Sequence, residues 1–499
     1  MEHLLLSPAT RMAHIGFTLS CNLSCRYCLR HLLSARNEQL DMTRLPQILK
    51  QLRQRRVEAI NVNSHGETTL VADWHRHCRA LLATGLPVSI ITNGIKAFSH
   101  EELDTLSRFS LVEFSVDSAD ADTFAYLRPP GKLHQVLENM ARLRATAMRN
   151  GMPVPAMSWS AVLCDTTLAG MQDWLYLGLA AGVARFVWCN YVKYQGANTA
   201  DAPRHVCELP QAQLRKVPAL AAELSRVAQQ HGAVFHAVPA LMDAVTETLQ
   251  LPDSPPRWIR DDDHTVIYTG RQQPGMTRDC LDPWDSLFIV ADGTVRHCCV
   301  TYDTLGDVRR PLAEMVNNQT VQAYRRGLLS GRLMPDCRRC SMRGWTTREA
   351  LARRVRQYIQ SRSPSPRLDP ALALSGYARA KGEACYSLDR INQRERGDGG
   401  LLVRASSGTL VLTGWAIDGE SKQTLTGLYI QVGHRLFRGA YGLQRPDVAA
   451  FFNNPDITCC GFRGEIATAL PAGRHTLVLY LLTGNRRVWQ VATGVTVEV

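Results

Sequence analysis

The sequence predicts an α/β protein: a partial barrel of six βα units, followed by a small cysteine-rich α+β domain and a C-terminal all-β, sandwich-like module. Three observations carry this. Through the first two hundred residues short β-rich runs alternate with longer amphipathic stretches, the pattern of parallel strands joined by crossover helices. Cysteines gather at short spacings once near the start and again beyond residue 279. From residue 401 the apolar period becomes two, with glycine at the turns.

The 499 residues allow roughly three folded units at about 150 residues each. With 45% hydrophobic and 20% charged residues the chain can bury more than one core, which excludes wholesale disorder and fibrous repeats. No apolar run approaches the roughly 18 residues of a membrane-spanning helix, and the first residues lack a basic stretch followed by an apolar one. A cytoplasmic protein without a membrane span is expected.

In chain order, strands are expected at 14–20, 60–64, 87–92, 111–116, 157–164 and 184–190, with helices such as 43–55 and 133–150 between them. These make a barrel domain over 1–208, whose chemistry belongs at the C-terminal ends of the strands. Residues 209–277 read as a helical connector, helical over 209–231 and Pro-rich over 251–269. The cysteine-rich domain spans 278–345 and opens with a hairpin turning at Asp292-Gly293. A basic helix, 347–362, and the linker Ser363-Pro364-Ser365-Pro366 fall in 346–400. Strands at 409–417, 428–432, 474–482 and 488–497 build the last module, 401–499.

Fifteen cysteines, an odd number, do not suit a disulfide scaffold in a chain without an export signal. Cys21, Cys25 and Cys28 sit on one loop after the first strand, with three and then two residues between them. Three thiolates can hold three corners of a four-iron cluster and leave the fourth iron open to an outside ligand. A zinc knuckle is the alternative reading of the spacing alone.

Gly16-Phe17-Thr18-Leu19-Ser20-Cys21-Asn22-Leu23-Ser24-Cys25-Arg26-Tyr27-Cys28 resembles the CxxxCxxC signature of the radical S-adenosylmethionine (radical SAM) superfamily, with an aromatic residue before the last cysteine. Gly66-Glu67 resembles the family's Gly-Gly-Glu-Pro motif, which meets the amino group of the cofactor's methionine end; here His65 replaces the first Gly and Thr68 the Pro. Thr92-Asn93-Gly94 ends the third strand, as family members often do. Ser115-Val116-Asp117-Ser118 ends the fourth, where polar side chains in the family reach the ribose and the methionine carboxylate, with Arg128 as counter-charge to that carboxylate. The resemblance implies a [4Fe-4S] cluster with one open iron, chelation of S-adenosylmethionine, reductive cleavage to a 5′-deoxyadenosyl radical and hydrogen abstraction from substrate. It also implies an external one-electron reductant of flavodoxin or ferredoxin type.

The run from Cys280 through the hairpin to His297-Cys298-Cys299, and on to Cys337-Arg338-Arg339-Cys340, resembles the SPASM or twitch extension of such barrels. The ligands implied for one auxiliary [4Fe-4S] cluster are Cys280, Cys298, Cys337 and Cys340, with Cys299 as the alternative to Cys298. Four protein ligands favour electron transfer over substrate binding. A four-cysteine zinc site is the other reading of these residues.

Between Arg309 and Arg367 fourteen Lys or Arg face three Asp or Glu, a surplus that suits an anionic partner; aromatic residues are sparse there, so nucleic acid is not indicated. Cys164 and Cys189 close the fifth and sixth strands and are expected either as hydrogen donors to a substrate radical, as in some radical SAM epimerases, or as buried packing. The last module, with Trp415 and Asp418, resembles an accessory β-sandwich found beside sugar-modifying enzymes, although this pair equally suits core and turn. The expected reaction is oxidation or epimerisation of a sugar or aminocyclitol, or of an anionic sugar-linked precursor. Modification of a ribosomal peptide is the alternative, against which stands a barrel that begins within about fifteen residues of Met1. A non-catalytic iron-sulfur binding protein is the third reading.

Overall fold

The computed structural model describes residues 2–32, 37–63, 65–194, 202–251, 258–261, 265–362, 367–368, 374, 377–380, 382–392, 394–395, 401–404, 409–467 and 473–498. The chain divides into two compact units, Met1–Leu351 and Ala352–Val499. The expected linker at 363–366 lies outside the described residues.

Six short parallel strands form the centre of the first unit: β1 (Met12–Ile15), β2 (Ala59–Val62), β3 (Val88–Thr92), β4 (Leu111–Ser115), β5 (Ala156–Leu163) and β6 (Arg185–Asn190). They lie side by side in sequence order, each paired in parallel with the next. Helices Leu45–Gln54, Leu133–Arg149 and Met171–Ala180 lie within the crossover connections.

The sheet extends past both expected edges. Strand Val234–Ala237 adds in parallel to β6, so the segment read as a helical connector contributes a strand as well as helix Lys216–Gln230. At the other edge Ser286–Ile289 adds in parallel to β1, and its hairpin partner Thr294–Arg296 and then Gly306–Asp307 continue antiparallel. Leu287 and Ile289 are buried beside Ala13 and Ile15, so this hairpin closes the barrel's own core. The cysteine-rich segment is therefore built onto the sheet.

The two faces of the sheet differ. On one, Ile60, Val62, Ile90, Val112, Phe114, Trp159, Phe186 and Trp188 are buried at 2% exposure or less under the helices. The other face carries His14, Asn61, Ser89, Glu113, Ser115, Ser158 and Ser160, most of them only half-buried. Parallel sheets covered on both faces are normally apolar throughout. A polar, partly open inner face is what a barrel enclosing a binding cavity requires.

In the second unit strands Thr409–Ile417, Gly427–Val432, Arg435–Leu443, Gly461–Ala467, Arg474–Leu482 and Arg487–Glu498 form one curled antiparallel assembly around Leu412, Leu428, Ile430, Leu479 and Trp489. Asp418 accepts from Trp489 Nε1 at 3.0 Å and from Ser421 Oγ at 2.6 Å, and Trp415 packs edge-on against Phe452. Both serve turn and core. Among the described residues no helix is long and apolar enough to cross a membrane.

Two histidines, His205 fully buried and His14 half-buried, tie the stability of the first unit to neutral pH. His205 Nδ1 accepts from Cys207 N–H at 3.0 Å, so Nε2 carries the proton toward Asn190 Oδ1 at 2.8 Å. Burial lowers its pKa to about 3, and burial lowers that of His14 to about 4. Both stay neutral in the fold while the unfolded chain takes up protons below about pH 6.5, so stability is complete above that pH and falls as pH drops toward 4. Denaturant melts should lose about 1.4 kcal/mol per pH unit per histidine inside this window, with a shallower decline for His14→Asn; equal slopes would refute the assignment.

Candidate functional site

β1 hands the chain to the cysteine loop, which is gripped from two sides. Toward β2, Glu67 N–H donates to Ser20 O at 2.7 Å, and a Cβ on Gly66 would collide with the carbonyl oxygens of Thr18 and Ser20. Only glycine permits this backbone contact. Toward helix Ala121–Leu127, Ser24 N–H donates to Pro129 O at 2.7 Å, Arg26 N–H to Leu127 O at 3.0 Å, and Arg26 Nε to Tyr126 O at 2.7 Å. The loop is thus positioned by main chain before any ligand is considered.

Glu67 is 3% exposed and fully engaged. One carboxylate oxygen accepts from Thr69 N, Thr69 Oγ1 and Thr92 Oγ1 at 2.8–3.1 Å, and the other from Asn93 N at 2.7 Å. Its side chain therefore ties the end of β2 to the end of β3 and has no oxygen left unengaged for a ligand. Asn93 reaches the cysteine loop, donating through Nδ2 to Asn22 Oδ1 at 2.8 Å and to Cys21 Sγ at 3.8 Å.

The end of β4 corrects an expectation. Asp117, with no exposure, accepts from Arg128 Nε at 2.6 Å, from Val162 N at 2.8 Å and from the Tyr27 hydroxyl. Asp117 and Arg128 satisfy each other, so the carboxylate is not open to a ribose, and Arg128 already holds a counter-charge. Arg128 Nη1 points instead at Cys25 Sγ, 4.0 Å away. Burial pushes the Cys25 thiol up to about 12 and Arg128 opposes it. Ser115 stands in register with Ser160 on the half-open inner face.

The two strand-end cysteines differ. Cys164 is fully buried, its Sγ 3.6 Å from Thr167 Oγ1, and packs with Leu127 and Tyr191; burial raises its thiol to about 11. Cys189 lies in register with Val162, only half-buried, on the polar inner face. That face also holds residues the sequence did not single out. His14 Nδ1 lies 3.3 Å from Asn61 Oδ1 and stacks on Phe288; Asn61 Nδ2 donates to Ser89 Oγ at 2.8 Å; Ser158 Oγ donates to Glu113 at 3.3 Å. Each is unremarkable in its own strand, and only the register collects them.

Around the hairpin, Cys280, Cys298, Cys337 and Cys340 line one cavity, together with Arg278, His297 and Tyr324. Cys299 is exposed and does not line it. Among the described residues no three His, Cys, Asp or Glu side chains converge on a single-ion site. The donor set fits an iron-sulfur cluster: thiols surround a shared volume, and backbone N–H groups already point at sulfur, Val300 to Cys298 and Arg343 to Cys340 at 3.4 Å each. At the first site Leu23 N–H meets Cys21 Sγ at 3.4 Å in the same manner.

A cysteine loop at the C-terminal face of a parallel partial barrel, with a second four-thiol pocket built onto its edge, defines an iron-sulfur enzyme of the radical SAM class. Residues 15–156 match the model of the Radical SAM superfamily, and residues 280–341 match SPASM, an iron-sulfur cluster-binding domain. The chain thus carries a Radical SAM domain and a SPASM-type auxiliary cluster domain, which together call for S-adenosylmethionine, a SAM-site [4Fe-4S] cluster and an auxiliary cluster as cofactors. Among solved structures it is similar to Streptococcus suis SuiB bound to S-adenosylmethionine, at 13% identity over 67% of this chain and 72% of that one, with a TM-score of 0.49. SuiB bound to precursor peptide SuiA is 13% identical over 64% and 68%, with a TM-score of 0.48. Native anSMEcpe with bound AdoMet and Cp18Cys peptide is 15% identical over 66% and 86%, with a TM-score of 0.43. No curated protein matches the chain.

Gly66→Ala should push the cysteine loop off β2 and leave reconstituted protein short of iron at the first site, about half the wild-type total, with the second site intact. Full iron content and an unchanged visible spectrum would show that the close approach does not hold the loop.

Proposed function

We propose that Cys21, Cys25 and Cys28 hold the SAM-site cluster, that Cys280, Cys298, Cys337 and Cys340 hold the auxiliary one, and that the enzyme oxidises a carbon-hydrogen position of a peptide. When bound, the cluster and S-adenosylmethionine supply a 5′-deoxyadenosyl radical that takes a hydrogen atom from substrate. The observation that carries this reading is the three-thiol loop clamped by Gly66 and Glu67 on one side and by the Asp117-Arg128-Tyr27 contacts on the other.

The chain's own residues divide the work. Asn93, Arg128 and Leu23 N–H stabilise thiolate charge by donating to Cys21 and Cys25 sulfur. Backbone at Gly66 and Glu67 receives the methionine amine, and Ser115, half-buried at the end of β4, offers a hydroxyl to the cofactor. Asp117 acts as a positioning residue that aims Tyr27 and Arg128. The inner face, with His14, Asn61, Ser89, Glu113 and Ser158, offers a polar lining for substrate, and Glu113 is a carboxylate able to accept the proton that an oxidation releases. Four cysteine ligands at the auxiliary site leave no position for substrate and suit transfer of the electron that an oxidation releases, while a flavodoxin- or ferredoxin-type reductant supplies the electron needed at the SAM site.

A peptide is favoured because many SPASM enzymes modify peptides; the peptides bound to SuiB and anSMEcpe stand beside this reading without carrying it. The sugar reading retains only the basic stretch from Arg309 to Arg367, since Trp415 and Asp418 are taken up by core and turn. Cys189 would serve as a hydrogen donor only in an epimerisation, and the enclosure of Cys164 argues against that role for it.

Anaerobically reconstituted protein should carry about eight irons per chain and, with S-adenosylmethionine and a strong reductant, release 5′-deoxyadenosine; Cys21→Ala with Cys25→Ala and Cys28→Ala should keep about four irons and release none. A fully loaded wild-type protein that makes no 5′-deoxyadenosine would overturn the proposal.

A further inference from the structure

Arg278 is among the most deeply enclosed side chains of the first unit, at 1% exposure, although it carries a permanent positive charge. Its guanidinium stacks on Trp345, its cross-strand partner, with Cζ 3.6 Å from the ring centroid. Four N–H donors are used, all on main-chain oxygens: Nε to Cys337 O at 3.1 Å, Nη1 to Thr269 O at 3.3 Å and to Arg343 O at 2.9 Å, and Nη2 to Arg338 O at 2.8 Å. Among the described residues no carboxylate pairs with it. Asp243, the carboxylate that acts on it most strongly, accepts from Trp345 N at 2.9 Å and makes no ion pair with Arg278. The thiols of Cys280, Cys337 and Cys340 stand close enough to act on it as well.

A charge taken out of water needs a partner, and carbonyl dipoles alone compensate a guanidinium poorly. Arg128, buried beside the first cysteine loop, has Asp117, and Arg343, which lines the four-thiol cavity together with Arg278, has Asp282. Arg278 has no such partner among the described residues. A four-iron cluster with four thiolates carries two negative charges when oxidised and three when reduced. We propose that Arg278 is the built-in counter-cation of the auxiliary cluster, a positioning residue that folds the Cys337–Cys340 loop through its carbonyls and raises the cluster's reduction potential by favouring the more negative state. This rests on the auxiliary-cluster reading above. It makes that cluster a better electron acceptor, as an oxidation of substrate requires.

The test uses full-length protein with Cys21, Cys25 and Cys28 all replaced by Ala, so that only the auxiliary cluster is present, followed by EPR during potentiometric titration. Arg278→Gln should shift the midpoint to a more negative value, while Arg278→Lys, which keeps the charge, should stay near the parent. If Arg278→Gln fails to hold iron, the proposal requires that Arg278→Lys retain it at near-parental potential. An unchanged midpoint in Arg278→Gln overturns the proposal, as does loss of iron from both variants, which would mean that the hydrogen-bonded fork rather than the charge matters. If the parent with Arg278 intact binds zinc or no metal, the auxiliary-cluster reading itself fails and the counter-cation role falls with it; that result is distinct from every outcome among the Arg278 variants.

Discussion

The main-chain approach at Gly66 is the constraint on which the rest of the site depends. Three thiols spaced along a loop can adopt many arrangements, and the chain entropy of such a loop opposes any one of them. Here the loop leans on the backbone at the end of β2 where no side chain fits, and Glu67 N–H fixes Ser20 O at 2.7 Å. The Glu67 carboxylate then anchors Thr92 and Asn93, so the same two residues set both the loop and the end of β3. The replacement of the family's Pro by Thr68 is absorbed locally: residues Thr68–Leu70 form a short 3-10 turn capped by Glu67 itself.

Electrostatics completes the frame. Asp117 and Arg128 are both buried and hydrogen-bonded, the geometry in which an ion pair holds position even where its net stability is small. Tyr27, one residue before Cys28, shares that carboxylate, so the last part of the cysteine loop is pinned to the end of β4. Val162 N–H adds β5 to the same point. Two strand ends and the loop thus meet at one carboxylate, while the polar inner face beside them is only half-buried.

Much of this was legible in the sequence. The strands β1–β6 follow from short β-rich runs between amphipathic helices, and the two cysteine groups are visible as spacing alone. Strand Val234–Ala237 was not, because its side chains alternate only between exposed and half-buried and give no apolar period. The parallel pairing of Ser286–Ile289 with β1 joins segments far apart in the chain and has no local signal. Motif resemblance pointed at Glu67, Asp117 and Arg128 but not at their atoms: whether a carboxylate faces a ligand or a neighbouring arginine depends on contacts between elements. The polar inner face was hidden for the same reason, since His14, Asn61 and Ser89 share a row only through register across three strands.

The proposed chemistry requires that one iron of the N-terminal cluster be left open by its three cysteines and be bound by S-adenosylmethionine. Low-temperature EPR of the anaerobically reduced protein, recorded before and after addition of S-adenosylmethionine, tests this most directly. The signal of the first cluster should change on addition, and the signal of the auxiliary cluster should not. A first-cluster spectrum indifferent to S-adenosylmethionine would contradict it.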